Sequence, residues 1–241
     1  AVYDEAADEY VINGSKTYIT NGHRADAIVL VTKTDPSAGY DGVTLFIVPM
    51  DAPGVVREKK LDKLGMRASD TALLAFQDVR VPASAVLGEV GKGFYHIMWE
   101  LQGERLIMCA GAVAGAQLVM EKTLQYAKDR KAFGKSIANF QVTRHKFAEM
   151  ATKIEAARSL TYMTAWRFAN KEYPVREISM AKLYVARIAV EVADECIQIH
   201  GGAGYMTEVG IDRVWRDMRL NRIGAGTDEV MLEVIGKSYG I

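Results

Sequence analysis

The sequence is poor in the features that mark several classes of function. It has two cysteines, Cys109 and Cys196, each inside an apolar stretch with helical spacing. They read as core thiols of a reducing compartment rather than as a disulfide framework. Its four histidines (His23, His96, His145 and His200) are scattered without ligand spacing, so no metal site is expected. Thirty basic residues balance thirty acidic ones. A net charge of zero supplies no global field for nucleic acid or for an anionic membrane surface. No apolar run approaches the roughly 20 residues of a bilayer span, so none is expected. Internal repeats, low-complexity segments and a targeting segment are also missing. The chain opens with Ala1 and passes at once into a strand-and-turn pattern, which suggests part of a longer protein.

What is present is apolar residue in quantity: 241 residues, 49% of them hydrophobic, enough for one large domain or two small ones. Up to about residue 84, short runs of β-branched and aromatic residues alternate with Asn-Gly, Asp-Pro and Pro-Gly punctuation. Tyr10 to Thr20 reads as two strands joined in a hairpin at Asn13-Gly14. Ala27–Thr32 and Val43–Val48 are apolar enough to be central strands, and Thr71–Phe76 and Val79–Val81 continue the pattern. From about Gly91 the period changes from 2 to 3.6. Long helices are expected over Phe94–Tyr126, around Phe147–Phe168, and from Pro174 to a C-cap at Gly201-Gly202. Shorter helices follow near Ile211–Leu220 and Asp228–Tyr239. The expected class is α+β: an antiparallel β-sandwich or barrel-like domain (residues 1–88) followed by an up-and-down helical bundle (residues 89–241).

Four polar or glycine-rich points interrupt the bundle pattern. Gln102-Gly-Glu-Arg105 places charges inside a segment that otherwise reads as buried helix. A charge there is costly unless it is paired or used, which leaves Glu104 as either a structural ion pair or a working carboxylate. Gln198-Ile-His-Gly-Gly202 and Gly224-Ala-Gly-Thr227 offer close backbone approach and free N–H groups at helix ends. Arg130-Lys-Ala-Phe-Gly134 is a basic and aromatic loop between helices, equally readable as a solvated charge run beside a core phenylalanine.

The order of these points resembles the acyl-CoA dehydrogenase family. The resemblance rests on Arg130-Lys-Ala-Phe-Gly-Lys135 with Gln141, Gln198-Ile-His-Gly-Gly-Ala-Gly-Tyr205, and Arg216-Asp-Met-Arg219 leading into Ile223-Gly-Ala-Gly-Thr227. Ile19-Thr-Asn-Gly22 and Lys63-Leu-Gly-Met-Arg-Ala-Ser-Asp70 resemble the family's middle β domain. Essentially the whole chain is covered. The family's fold has a helical domain ahead of these two. Its Thr-Glu-Pro and Gly-Ser-Asp flavin motif, expected upstream of Ala1, is not in the sequence.

The resemblance implies FAD and α,β-dehydrogenation of an acyl-CoA thioester. Many family members take their base from a glutamate directly before Gly-Thr, where this chain has Ala225. Isovaleryl-CoA and long-chain acyl-CoA dehydrogenases take it instead from a Glu-Arg-Leu sequence, which Glu104-Arg105-Leu106 matches. By position, Tyr18 and Thr20 match the strand beside the flavin ring. Arg130, Phe133 and Gln141 match FAD contacts supplied by a neighbouring subunit, and Gln198, Gly201 and Gly202 match the adenine-side loop. Thr227 and Glu229 match the stretch near the flavin pyrophosphate. Tyr95, Gln102, Arg105, Ala225 and Gly226 match acyl-CoA contacts. A homotetramer, an electron-transfer flavoprotein as electron acceptor, and a cytoplasmic (bacterial) or mitochondrial-matrix (eukaryotic) location are implied too. The alternatives are a flavin oxidase on the same fold, an inactive fragment, and a relative that binds DNA instead.

Overall fold

The computed structural model describes residues 1–241. The chain divides into two compact units, Ala1–Glu100 and Leu101–Ile241.

The first unit holds β1 (Val2–Asp4), β2 (Glu9–Thr20), β3 (Ala27–Lys33), β4 (Val43–Pro49), β5 (Val55–Lys60) and β6 (Thr71–Pro82). They form a four-stranded sheet in the order β1-β2-β6-β5 and a two-stranded sheet β3-β4, with all pairings antiparallel. Because strand side chains alternate faces, Tyr10 and Ile12 of β2 point the same way as Leu74, Phe76, Val79 and Val81 of β6. They bury one common core with Leu30, Phe46 and Val48 of β3 and β4. The Tyr10 and Phe46 rings meet edge to face at 4.8 Å, a geometry their quadrupoles favour. This is the expected antiparallel sandwich.

Its details differ from expectation at Asn13-Gly14, which does not turn the chain back. β2 runs through as one strand, with a register shift between Ile12 and Gly14. The Asn13 side chain is bound to β6 instead: its Oδ1 accepts the Asp78 N–H at 2.9 Å and its Nδ2 donates to Asp78 Oδ1 at 3.0 Å. Asp78 itself takes φ +49°. The extra residue lies on β6, where Gln77 and Asp78 stand opposite Asn13 alone: a β-bulge, which bends a strand without ending it. For the same reason Thr71–Phe76 and Val79–Val81 fuse into the single strand β6.

The helical elements are α1 (Gly93–Asp129), α2 (Gln141–Ala169), α3 (Val175–His200), α4 (Ile211–Met218) and α5 (Asp228–Lys237). Between α1 and α2 lies a small hairpin, β7 (Lys131–Ala132) with β8 (Lys135–Ser136). Its two turn residues, Phe133 and Gly134, have φ +52° and +82°, the left-handed pair that a two-residue hairpin turn requires. The core of the second unit joins Cys109, Ala112, Val113 and Ala116 of α1 with Ile154 and Ala157 of α2, Ala181, Val185 and Ala189 of α3, and Ile211 of α4. Small residues on α1 and α3 allow close approach, so each lost methyl is felt as a packing defect. Burial pushes the Cys109 thiol up to about 12 and the Cys196 thiol to about 11, as befits inert core thiols. α1 corrects one expectation: by length and composition alone it is long and apolar enough to cross a membrane. A core helix passes the same test, and Cys109, Ala112, Val113, Ala116 and Val119 are buried in the bundle.

Candidate active site

In α1 the helical phase decides which side chains of the Gln102–Arg105 stretch face inward. Gln102, Arg105, Leu106 and Cys109 follow the i, i+3, i+4, i+7 spacing of one face, and all four are buried. Glu104 falls between them on the outer side with Ile107 and is exposed. The expectation of a buried glutamate is therefore corrected: the buried charge in this stretch is Arg105, 6% exposed. Burial pulls the Arg105 pKa down, with Tyr173 and Glu104 opposing. Glu104 lies within range of Arg105's charge without a salt bridge to it, so the structural ion-pair alternative for Glu104 has no support in the geometry.

Arg105 is committed elsewhere. Its Nε donates to the Ala225 carbonyl at 3.0 Å, and its Nη1 donates to Gln102 Oε1 at 3.4 Å. The turn it holds is unusual. Ala225 has φ +53° and Gly226 φ +109°, and a Cβ on Gly226 would meet Met231 Cε at 2.8 Å. Lys182 of α3, wholly buried, donates its ammonium to the Gly226 carbonyl. Two consecutive carbonyls are thus taken by two buried cations. A trans peptide sets N–H opposite to C=O, so the Gly226 and Thr227 amides are aimed away from those cations. No partner within the chain occupies them.

The next residues open α5. Thr227 is its N-cap, the hydroxyl accepting the Val230 N–H at 3.3 Å. Asp228, 3% exposed, receives Arg187 Nε at 3.0 Å and Arg222 Nη2 at 2.7 Å on the same carboxylate oxygen. Burial raises its pKa, but the bonds from Arg222 and Arg187 outweigh it and hold the carboxyl below its ordinary value. Glu229 stays exposed, and its own amide and the Thr227 hydroxyl keep its carboxyl low. Arg105, Lys182, Arg187 and Arg222 thus stand against one buried carboxylate behind the turn, a positive excess that favours an oxygen gaining negative charge in front of it.

The structure brings Gln102, Arg105, Ala225, Gly226, Thr227 and Glu229 into one neighbourhood of the helical unit. Arg130, Phe133 and Gln141 gather separately at the β7–β8 hairpin and the start of α2. All three are exposed, Phe133 by 96%. Gln198, Gly201 and Gly202 sit exposed at the end of α3, where Gly201 (φ +57°) is the C-cap. That end is fixed by buried His200, whose ring stacks on Tyr126 at 4.2 Å while the Tyr126 hydroxyl donates to the His200 carbonyl at 3.2 Å. Tyr18, Thr20 and Tyr95 belong to the first unit. Tyr18, 78% exposed, occupies a bulge of β2 with φ +62°. Thr20 ends the strand opposite Thr71. The Tyr95 hydroxyl donates to Asp41 Oδ1 at 3.2 Å under the charge of Lys92. Lys182, Arg187, Arg222 and Asp228 were not expected from the sequence. Lys182 had left a trace, as a cation in the interior stripe of α3 between Ile178 and Val185.

Residues 91–240 match the family model described as acyl-CoA dehydrogenase, C-terminal domain, and residues 1–79 match the middle domain. The chain belongs to the acyl-CoA dehydrogenase family. Among its relatives, a long-chain specific acyl-CoA dehydrogenase of Sus scrofa is 42% identical over 231 residues, covering 95% of this chain and 54% of that protein. An isovaleryl-CoA dehydrogenase of Oryza sativa subsp. japonica is 41% identical over 228 residues, covering 95% and 56%. The crystal structure of an acyl-CoA dehydrogenase from Geobacillus kaustophilus superposes with a TM-score of 0.96 at 44% identity, covering 100% of this chain and 63% of that one. The chain thus spans about half the length of the curated acyl-CoA dehydrogenases it matches.

Proposed function

We propose that the protein dehydrogenates an acyl-CoA thioester between its α and β carbons, with Glu104 removing the α-proton and FAD as cofactor. The observation that carries this is the Ala225–Thr227 turn. Its carbonyls are held by buried cations, so that the Gly226 and Thr227 amides point away from them, in a family whose usual carboxylate at this position is here a methyl group.

The residues present fit FAD. Phe133 is an aromatic ring almost fully in solvent on a left-handed turn, next to the uncommitted basic residue Arg130. An aromatic ring and a guanidinium suit a planar ring system joined to a pyrophosphate. Arg130, Phe133 and Gln141 would bind one part of the group from a neighbouring subunit. Gln198, Gly201 and Gly202 would face its adenine side, where neither glycine position has an atom within 4 Å of a Cβ. Thr227 and Glu229, at the start of α5, would lie near the pyrophosphate, and Tyr18 and Thr20 of the β unit would meet the flavin ring. When bound, FAD supplies the acceptor for the hydride that leaves the β carbon.

The chain's own work is the proton. Loss of an α-proton from a thioester puts negative charge on the carbonyl oxygen, and the amides of the 225–227 turn are proposed to bind it. Gln102, Arg105 and Tyr95 would contact the acyl-CoA. An exposed carboxylate is a weak base, so the acyl group must cover Glu104 and strip its water to raise its basicity. The assembly is proposed to be a homotetramer that passes electrons to an electron-transfer flavoprotein. Exposed Tyr162, Met163 and Trp166 on α2 offer apolar surface for self-association. The cytoplasm of a bacterium, or the mitochondrial matrix of a eukaryote, is the compartment this chemistry fits.

The test is Glu104→Gln in the full-length, FAD-loaded protein. We expect dehydrogenation to fall by about 10²–10⁴-fold, the range for loss of a general base, along with α-proton exchange into deuterated water. Ala225→Glu added to that variant should restore part of the rate, since position 225 already tolerates a side chain at positive φ. Unchanged α-proton exchange in Glu104→Gln would remove Glu104 from the mechanism.

A further inference from the structure

We propose that Asp70 is a positioning residue for the flavin: from its place just before β6 it holds the turn that ends β2, so that Tyr18 and Thr20 are set where they meet the flavin ring. The assignment rests on the FAD reading above and adds to it a group that acts through the backbone.

Asp70 is 7% exposed and grips the turn twice. Its Oδ2 accepts the His23 N–H at 2.8 Å, and its backbone carbonyl accepts the Asn21 N–H at 3.1 Å. No cation bonds the carboxylate, and its Oδ1 is buried without a hydrogen-bond partner. Asp228, also buried, takes two arginines. A buried carboxylate with a single N–H is a poor stabiliser, because its desolvation outweighs one bond. What the charge does provide is a firm hold, since a charged acceptor binds an N–H more tightly than a neutral one.

The turn it holds is strained and closely seated. Asn21 has φ +59°, and a Cβ on buried Gly22 would come within 3.1 Å of the Ala72 Cβ and of Ile19. Thr20, the residue before the turn, lies opposite Thr71, the residue after Asp70. One dipeptide, Asp70-Thr71, therefore sets both the end of β2 and the turn beyond it. A bulge disrupts the ladder around Tyr18, so that exposed ring takes its position from the paired residues that follow, Ile19 and Thr20. Asp70 is fixed in turn on its other side. Lys63 donates its ammonium to the Ser69 carbonyl at 2.8 Å and to the Ser69 hydroxyl at 2.9 Å, and that hydroxyl donates to the Met66 carbonyl at 3.1 Å.

Three quantities test this on the full-length protein and its Asp70→Ala and Asp70→Asn variants: the FAD dissociation constant, the emission of bound flavin, and the melting temperature of the flavin-free form. An aromatic ring packed on a flavin quenches its emission, so emission reports whether Tyr18 keeps its place, and Tyr18→Leu is the control that should brighten the bound flavin. Asp70→Ala should weaken FAD by about tenfold, the worth of one hydrogen bond to a charged group, and brighten the flavin that stays bound. Its flavin-free form should melt close to wild type, because the lost bond is offset by relief of a buried charge. Asp70→Asn, whose amide oxygen can still accept the His23 N–H, should keep most of the affinity and the quenching.

The proposal is overturned if Asp70→Ala keeps either the wild-type affinity or the wild-type quenching. It is overturned too if that variant, free of flavin, melts well below wild type or fails to fold, since Asp70 then serves the fold. Asp70→Asn losing as much as Ala has the same consequence. Wild type that retains no flavin, or Tyr18→Leu with unchanged emission, would instead defeat the FAD reading itself.

Discussion

Asp228 shows how much a single oxygen can carry. Its Oδ2 takes bonds from both Arg187 and Arg222 while the side chain is 4% exposed. The arginines are themselves 41% and 36% open to water, so part of their charge is screened. Asp228→Asn should cost about 2–3 kcal/mol, somewhat under the range for a fully buried pair. The sign with pH follows from a carboxyl held below its ordinary value of 3.8. Its contribution is complete above pH 3.8 and is lost as pH falls through the lower folded value. Denaturant midpoints of wild type and Asp228→Asn should therefore differ by a constant amount at neutral pH and converge below about pH 4. Curves that stay parallel into acid would show that the carboxylate charge is not what the arginines hold. Glu104 differs at the same scale: it is exposed, and its importance is proposed to begin only when substrate excludes water from it.

Among the elements, the β7–β8 hairpin states most clearly a conflict between stability and use. A two-residue turn with both φ values positive suits Asn-Gly or Gly-Gly, and this chain has Phe133-Gly134. A phenylalanine there pays for left-handed backbone and leaves its ring 96% exposed. Phe133→Asn should raise stability by about 0.5–1 kcal/mol, by analogy with other substitutions that suit their backbone, while lowering the fraction of protein that retains FAD. Thermal melts and the ratio of flavin to protein absorbance measure both. A variant that is no more stable and retains FAD fully would leave Phe133 without a role. The bulge of β2 is the same device in the sheet: around Tyr18 it turns a ring outward from a strand whose Tyr10 and Ile12 are committed to the core.

For the whole molecule, the proposed cofactor should act as a stabilising ligand. A group that binds only the folded state at a hundred times its dissociation constant adds about 2.7 kcal/mol. In a chain of this size that corresponds to roughly 5–10 °C in melting temperature. Purified full-length protein should show a flavin absorbance band near one per chain, and stripping the flavin should lower the melting temperature by that amount. A colourless protein whose melting is unaffected by added FAD would defeat the cofactor assignment. The sandwich and the bundle were legible in the sequence because both periodicities are local: alternation over strands, 3.6 over helices, with Gly201 and Thr227 marking helix ends. The hairpin expected at Asn13-Gly14 was not, since its outcome was set by Asp78, 65 residues away.

The sequence by itself determined the two-part architecture, the family and the Glu104-Arg105-Leu106 motif, because each is written in residues near one another in the chain. The tertiary structure decided which of two adjacent charges is buried, because the phase of α1 against α3 and the 225–226 turn chooses the face that turns inward. It also decided that the turn is fastened, by Arg105 from 120 residues away and Lys182 from 44. Carbonyls and amides are present at every position of any sequence. Only a fold that brings buried cations to two of them can make one turn chemically different from the rest.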